Sequence, residues 1–99
     1  MQLNSYLTFH DGVIGRLLIA AGRHREARQR LEMALRHAAD TGMHFQDAEL
    51  LRLLAQTAAD QHQRRDGLYV ALDLARGQGA TLFEVRCLLN LFDTGIDVR

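Results

Sequence analysis

Along most of the chain the apolar residues recur at three- and four-residue steps, the spacing of one face of an α-helix. Leu3, Leu7, Ile14, Leu17, Leu18 and Ala21 follow it and predict a first helix over residues 3–21. Ala27, Leu31, Ala34, Leu35 and Ala38 predict a second over 24–41, with Arg25, Arg28, Glu32 and Arg36 on its outer face. Glu32 stands four residues from both Arg28 and Arg36, so two weak ion pairs are expected there. A third helix, over 45–60, turns Phe45, Ala48, Leu51, Leu54, Ala55 and Ala58 inward. Asp47 and Glu49 fall in its first turn, where acids suit the helix dipole. Residues 61–65 read as a turn. A fourth helix, over 64–77, buries Leu68, Ala71, Leu72 and Ala75, and Thr81 caps a fifth over 82–93 with Leu82, Val85, Leu88, Leu89 and Phe92 inward. Gly22, Gly42 and the pair Gly77 and Gly79 are the expected helix stops. Gly12 and Gly15 weaken the first helix but let a neighbour approach closely. The expectation is therefore one all-α domain over residues 1–93, with a frayed tail over 94–99.

The pattern also repeats. Shifted by 37 residues, Leu31 falls on Leu68, Ala34 on Ala71, Leu35 on Leu72 and Ala38 on Ala75. Gly42 falls on Gly79, Phe45 on Leu82, Leu51 on Leu88 and Leu54 on Leu91. The coinciding positions are those expected to be buried or to end helices. A two-helix unit recurring at such a period predicts a solenoid, because one hairpin cannot bury both its faces and stacks on the next.

The run Ile14-Gly15, Leu18, Gly22-Arg23, Glu26-Ala27, Leu31 and Ala34-Leu35 resembles the tetratricopeptide repeat, with Gly15, Ala27 and Ala34 at its small positions and Leu18 and Leu31 at its large ones. The resemblance covers residues 12–93 and implies an α-solenoid of about two and a half hairpins that holds protein segments. The stretches Ala48-Glu49-Leu50-Leu51-Arg52-Leu53, Ala71-Leu72-Asp73-Leu74-Ala75-Arg76-Gly77-Gln78-Gly79-Ala80 and Glu84-Val85-Arg86 are similar to repeat regions of large bacterial ATPase-type transcriptional regulators and of proteins carrying an adenylate/guanylate cyclase domain. The chain departs from the repeat in three places. Asp11 stands where the repeat has tryptophan, no terminal proline is present, and Arg52 and Arg64 occupy small positions. The second hairpin is therefore expected to splay, or those arginine stems to reach for solvent.

Composition supports helices: proline is absent and β-branched residues are few. The formal charge is zero, yet residues 1–37 hold six arginines against three acids and residues 38–99 six against nine. That dipole suits head-to-tail association or docking in a longer chain more than nucleic acid, as does the absence of paired aromatics for base stacking. All twelve basic residues are arginine, which reads as GC-rich bacterial coding. The Arg23–Arg36 cluster is interrupted by Glu26 and Glu32 and reads as a solvated face, with an acidic ligand as the alternative. Cys87 is the one cysteine and falls on an apolar face, so an inert buried thiol is expected.

No apolar run is long enough for a membrane span, and the N-terminus lacks a signal-peptide pattern, so a cytoplasmic location is the default. The five histidines form no His-x-x-x-His pair and gather no carboxylate, so no metal site is nominated. Gly77-Gln78-Gly79 is too short for a phosphate loop and follows a helix. No catalytic set and no cofactor site can be named, and an enzyme is not expected. The leading expectation is a protein- or peptide-binding scaffold. First helices of each pair would line its concave face, through Asn4, His10 and Arg16 on the first helix and Gln46, Glu49, Arg52 and Gln56 on the third. Self-association through apolar terminal helices is the second expectation, and a regulatory segment of a cyclase- or ATPase-type signalling protein the third.

Overall fold

Five α-helices follow one another: α1 (Gln2–Ala20), α2 (His24–Thr41), α3 (Asp47–Gln56), α4 (Gln61–Gln78) and α5 (Thr81–Asp93). They are seen in a computed structural model that describes the backbone of residues 2–93 and the side chains of residues 10–93. The expected fraying of residues 94–99 lies outside this range, as do the side chains of Leu3 and Leu7. No strand occurs among the described residues.

Glycines end α2 and α4 as expected. Gly42 and Gly79 take the left-handed conformation at φ 72° and 67°, which lets the chain turn while the next amide bonds back into the last turn. Met43 N donates to Ala38 O at 3.1 Å and Ala80 N to Ala75 O at 2.8 Å. Gly77 does not end α4 but lies within its last turn. Residues 61–65, expected as a turn, open α4 instead, because Asp60 is an N-cap whose carboxylate accepts from His62 N at 3.0 Å. Helix α3 correspondingly stops at Gln56, where the Thr57 hydroxyl donates to Leu54 O at 2.6 Å. Thr81 is the first residue of α5 and not its cap.

Each helix packs on the next, and α3 also touches α1 and α5, so α3 meets all four others. No close backbone approach joins α1 or α2 to α4 or α5 among the described residues. This central position corrects the one-sided face expected for α3. Leu50 and Leu53 are among the most buried side chains of the protein, Leu51 and Leu54 are half-buried, and Phe45, preceding the helix, is exposed. The apolar stripe of α5 is corrected too: Cys87 and Leu91 are buried, while Leu82, Val85, Leu89 and Phe92 face outward.

Two apolar clusters flank α3. Leu31, Ala34, Leu50 and Leu53 form one, with Leu35 and Leu54 at its edge. Ala55, Leu68, Ala71, Leu72, Cys87 and Leu91 form the other, with Leu51 and Leu88 beside it. A 37-residue step carries Leu31, Ala34, Leu50 and Leu54 of the first onto Leu68, Ala71, Cys87 and Leu91 of the second. Small residues set the closeness of the pairs. A Cβ on Gly15 would fall 2.7 Å from Leu31 Cδ2, and one on Gly67 would fall 2.9 Å from Ala55 Cβ. The second contact also corrects the expected splaying of the α3–α4 hairpin, since these two helices approach as closely as side chains allow.

Candidate functional site: a polar cleft across α1, α3 and α5

The odd-numbered helices bring Gly12, Val13 and Arg16 of α1, Gln46, Glu49, Leu50 and Leu53 at and in α3, and Phe83 and Arg86 of α5 around one small cleft of about 70 Å³. Gly12, Glu49 and Arg86 are successive members of the 37-residue series, as are Gln46 and Phe83. One face of three helices therefore lines the cleft, and the same register places each contribution.

Beneath the cleft runs a chain of polar side chains. Glu49 and Arg52, one turn apart on α3, are only 7% and 8% exposed. Arg52 Nε and Nη2 each donate to a different oxygen of Glu49 at 2.8 Å, a two-point pairing suited to the planar guanidinium. Arg86 Nη1 donates to Glu49 Oε2 at 2.9 Å from α5. Asn90 Oδ1 accepts from Arg52 Nη1 at 2.6 Å and from Gln56 Nε2 at 3.0 Å. Burial alone would raise the Glu49 pKa, but the hydrogen bonds and charges of Arg52 and Arg86 outweigh it and hold the carboxyl below its ordinary 4.5. Arg86 also reaches over the Phe83 ring, 6.0 Å from its centre.

Of the residues expected to line a binding face, Arg16 and Gln46 do line this cleft, Arg16 being exposed. Glu49 lines it but has both oxygens engaged, and Arg52 is turned into the protein, where its guanidinium is paired and not solvated. Gln56 is tied to Asn90. His10 is exposed near the middle of α1, and the side chain of Asn4 lies outside the described residues. The second arginine at a small position, Arg64, donates to Ala58 O at 2.9 Å. Seven contributors were not among the expected lining residues: Gly12, Val13, Leu50 and Leu53 in the cleft wall, and Phe83, Arg86 and Asn90 on α5. The 37-residue step from Gln46, Glu49 and Leu53 points to the three on α5, which fall on the same face one unit later.

Asp11 is a further buried acid, held by Arg30 at 3.2 Å with His37 Nδ1 at 3.7 Å. The expected pairs of Glu32 with Arg28 and Arg36 do not form; Arg28 instead donates to Thr57. Among the described residues no three His, Cys, Asp or Glu side chains are grouped to hold a metal ion, and no helix is long and apolar enough to cross a membrane. No family model, no curated protein and no solved structure matches the chain.

Proposed function

We propose that this chain is a non-catalytic protein-interaction module of the tetratricopeptide type. In this reading its helices form about two and a half stacked hairpins, and α1, α3 and α5 present their shared cleft to a segment of another protein. The observation that carries the reading is the register of that cleft. Residues one 37-residue unit apart line it side by side, and the same step relates the two apolar clusters behind it. The likeness of residues 48–53, 71–80 and 84–86 to repeat regions of large bacterial regulators suits a docking role in or beside a signalling protein.

The cleft suggests what it holds. Arg16 and Arg86 outnumber the single carboxylate of Glu49, and Val13 and Phe83 supply apolar contact. A segment carrying an acidic side chain next to an apolar one fits that arrangement. Arg16 is the cation to probe, because it is exposed and makes no ion pair with another described residue. Affinity capture with quantitative mass spectrometry should recover a partner with the unaltered chain and lose it with Arg16→Glu at an unchanged melting temperature. A partner held equally by both chains, or none held by either, overturns the proposal.

A further inference from the structure

Helix α5 leaves an apolar seam uncovered. Leu82, Val85, Leu89 and Phe92 are 59%, 45%, 57% and 76% exposed, and their three-four-three spacing puts them on one narrow stripe. Three of the corresponding positions are covered: Ala48, Arg52 and Ala55, one 37-residue unit before Val85, Leu89 and Phe92, are buried, while Phe45, one unit before Leu82, is exposed. The two seams differ in size. The α3 seam uses alanine so that Gly67 can come within a Cβ contact of Ala55. A helix laid on α5 in that manner would collide with Phe92, so the α5 seam is not shaped for another helix docked as α4 docks on α3.

We infer that a second copy of this chain covers the seam, with the two α5 helices packed antiparallel about a two-fold axis at the level of Cys87. The stripe is its own complement in that arrangement. Leu82 meets Phe92 of the other copy and Val85 meets Leu89, so large residues oppose large residues across the whole helix. Charge agrees with shape. Asp93, at the end of α5, comes beside the first turn of the other copy's α5, where the positive end of the helix dipole favours an anion; the acid already in that turn, Glu84, is paired with Arg76 of its own chain at 3.0 Å. The inference is independent of the cleft, which opens on the side of α5 that carries Phe83 and Arg86.

Light scattering and sedimentation of the 99-residue chain should give twice its 11.2 kDa mass at micromolar concentration. Leu89→Arg and Val85→Arg should each raise the dissociation constant by at least about 100-fold. Both sites are exposed, so circular dichroism should show the helices kept. Leu17→Arg, on an exposed site of α1, whose backbone makes no close approach to α5 among the described residues, should leave the dimer intact. An oxidised mixture of Leu82→Cys and Phe92→Cys chains should join unlike with unlike. A single 11.2 kDa species at high micromolar concentration overturns the inference. So does a dimer indifferent to both α5 variants, or a preference for like-with-like disulfides.

Discussion

At the scale of single residues, the most demanding feature is an acid and a base placed one turn apart on the central helix. Glu49 and Arg52 are stable there because each satisfies the other and Arg86, Asn90 and Gln56 take up remaining valences. Removing one partner should be far worse than removing both. Glu49→Ala, which strands Arg52, should cost roughly 3–5 kcal/mol in urea melts. Glu49→Leu combined with Arg52→Met should stay within about 1 kcal/mol of the unaltered protein. If the double variant were as unstable as the single, the cost would lie in lost packing and not in a stranded charge. The same carboxyl predicts a pH dependence. Its folded pKa is below the ordinary 4.5, so between those values the unfolded chain holds more of the proton. The stabilisation is whole above about pH 4.5 and is lost as pH falls through the folded value. Urea midpoints should therefore drop on acidification through this window, and Glu49→Gln should flatten the drop.

At the scale of elements, glycine has opposite meanings at two helical positions. Gly15 lies where α1 and α2 are closest, and an alanine methyl would press on Leu31 at 2.7 Å. Gly15→Ala should destabilise by about 1–3 kcal/mol through overpacking. Gly77 lies in α4 with open space around it and ordinary helical φ, so Gly77→Ala should stabilise by about 0.5–1 kcal/mol. Denaturant melts of the pair check both signs, and a Gly15→Ala chain as stable as the parent would mean that α1 and α2 slide apart freely. The helix ends divide in the same way. Gly42 and Gly79 are legible stops because only glycine takes a positive φ without strain. The start of α4 was misread because Asp60 caps it without any accompanying change in hydrophobic period.

At the scale of the molecule, both apolar clusters include residues of α3, so neither half should open alone. Cys87 reports on this. It is fully buried in the α3–α4–α5 cluster, and burial pushes its thiol up to about 11, so the reactive thiolate is scarce at neutral pH. An aromatic disulfide reagent should label it slowly in the native protein. The urea midpoint for labelling should coincide with that for loss of helical circular dichroism. Labelling at markedly lower urea would show that α4 and α5 lift away from α3 as a separate unit.

What the amino-acid order determined by itself is local. Helical period, absence of proline and glycine stops suffice for five helices, because these are properties of a few neighbouring residues. The 37-residue recurrence was legible too, and it holds in the core, where Leu31, Ala34 and Leu50 match the buried Leu68, Ala71 and Cys87, but not where Ala48, Arg52 and Ala55 are buried and Val85, Leu89 and Phe92 are exposed. Which face of each helix is covered is a different matter, because it depends on how many neighbours the helix has. The central helix meets four others, so Leu50, Leu53, Glu49 and Arg52 are buried where a one-sided stripe predicted otherwise. Among the described residues the backbone of the last helix closely approaches α3 and α4 alone, so Leu82, Val85, Leu89 and Phe92 are left outside. Apolar residues record that a surface can be covered; only tertiary packing decides whether it is, because burial is a relation between distant parts of the chain.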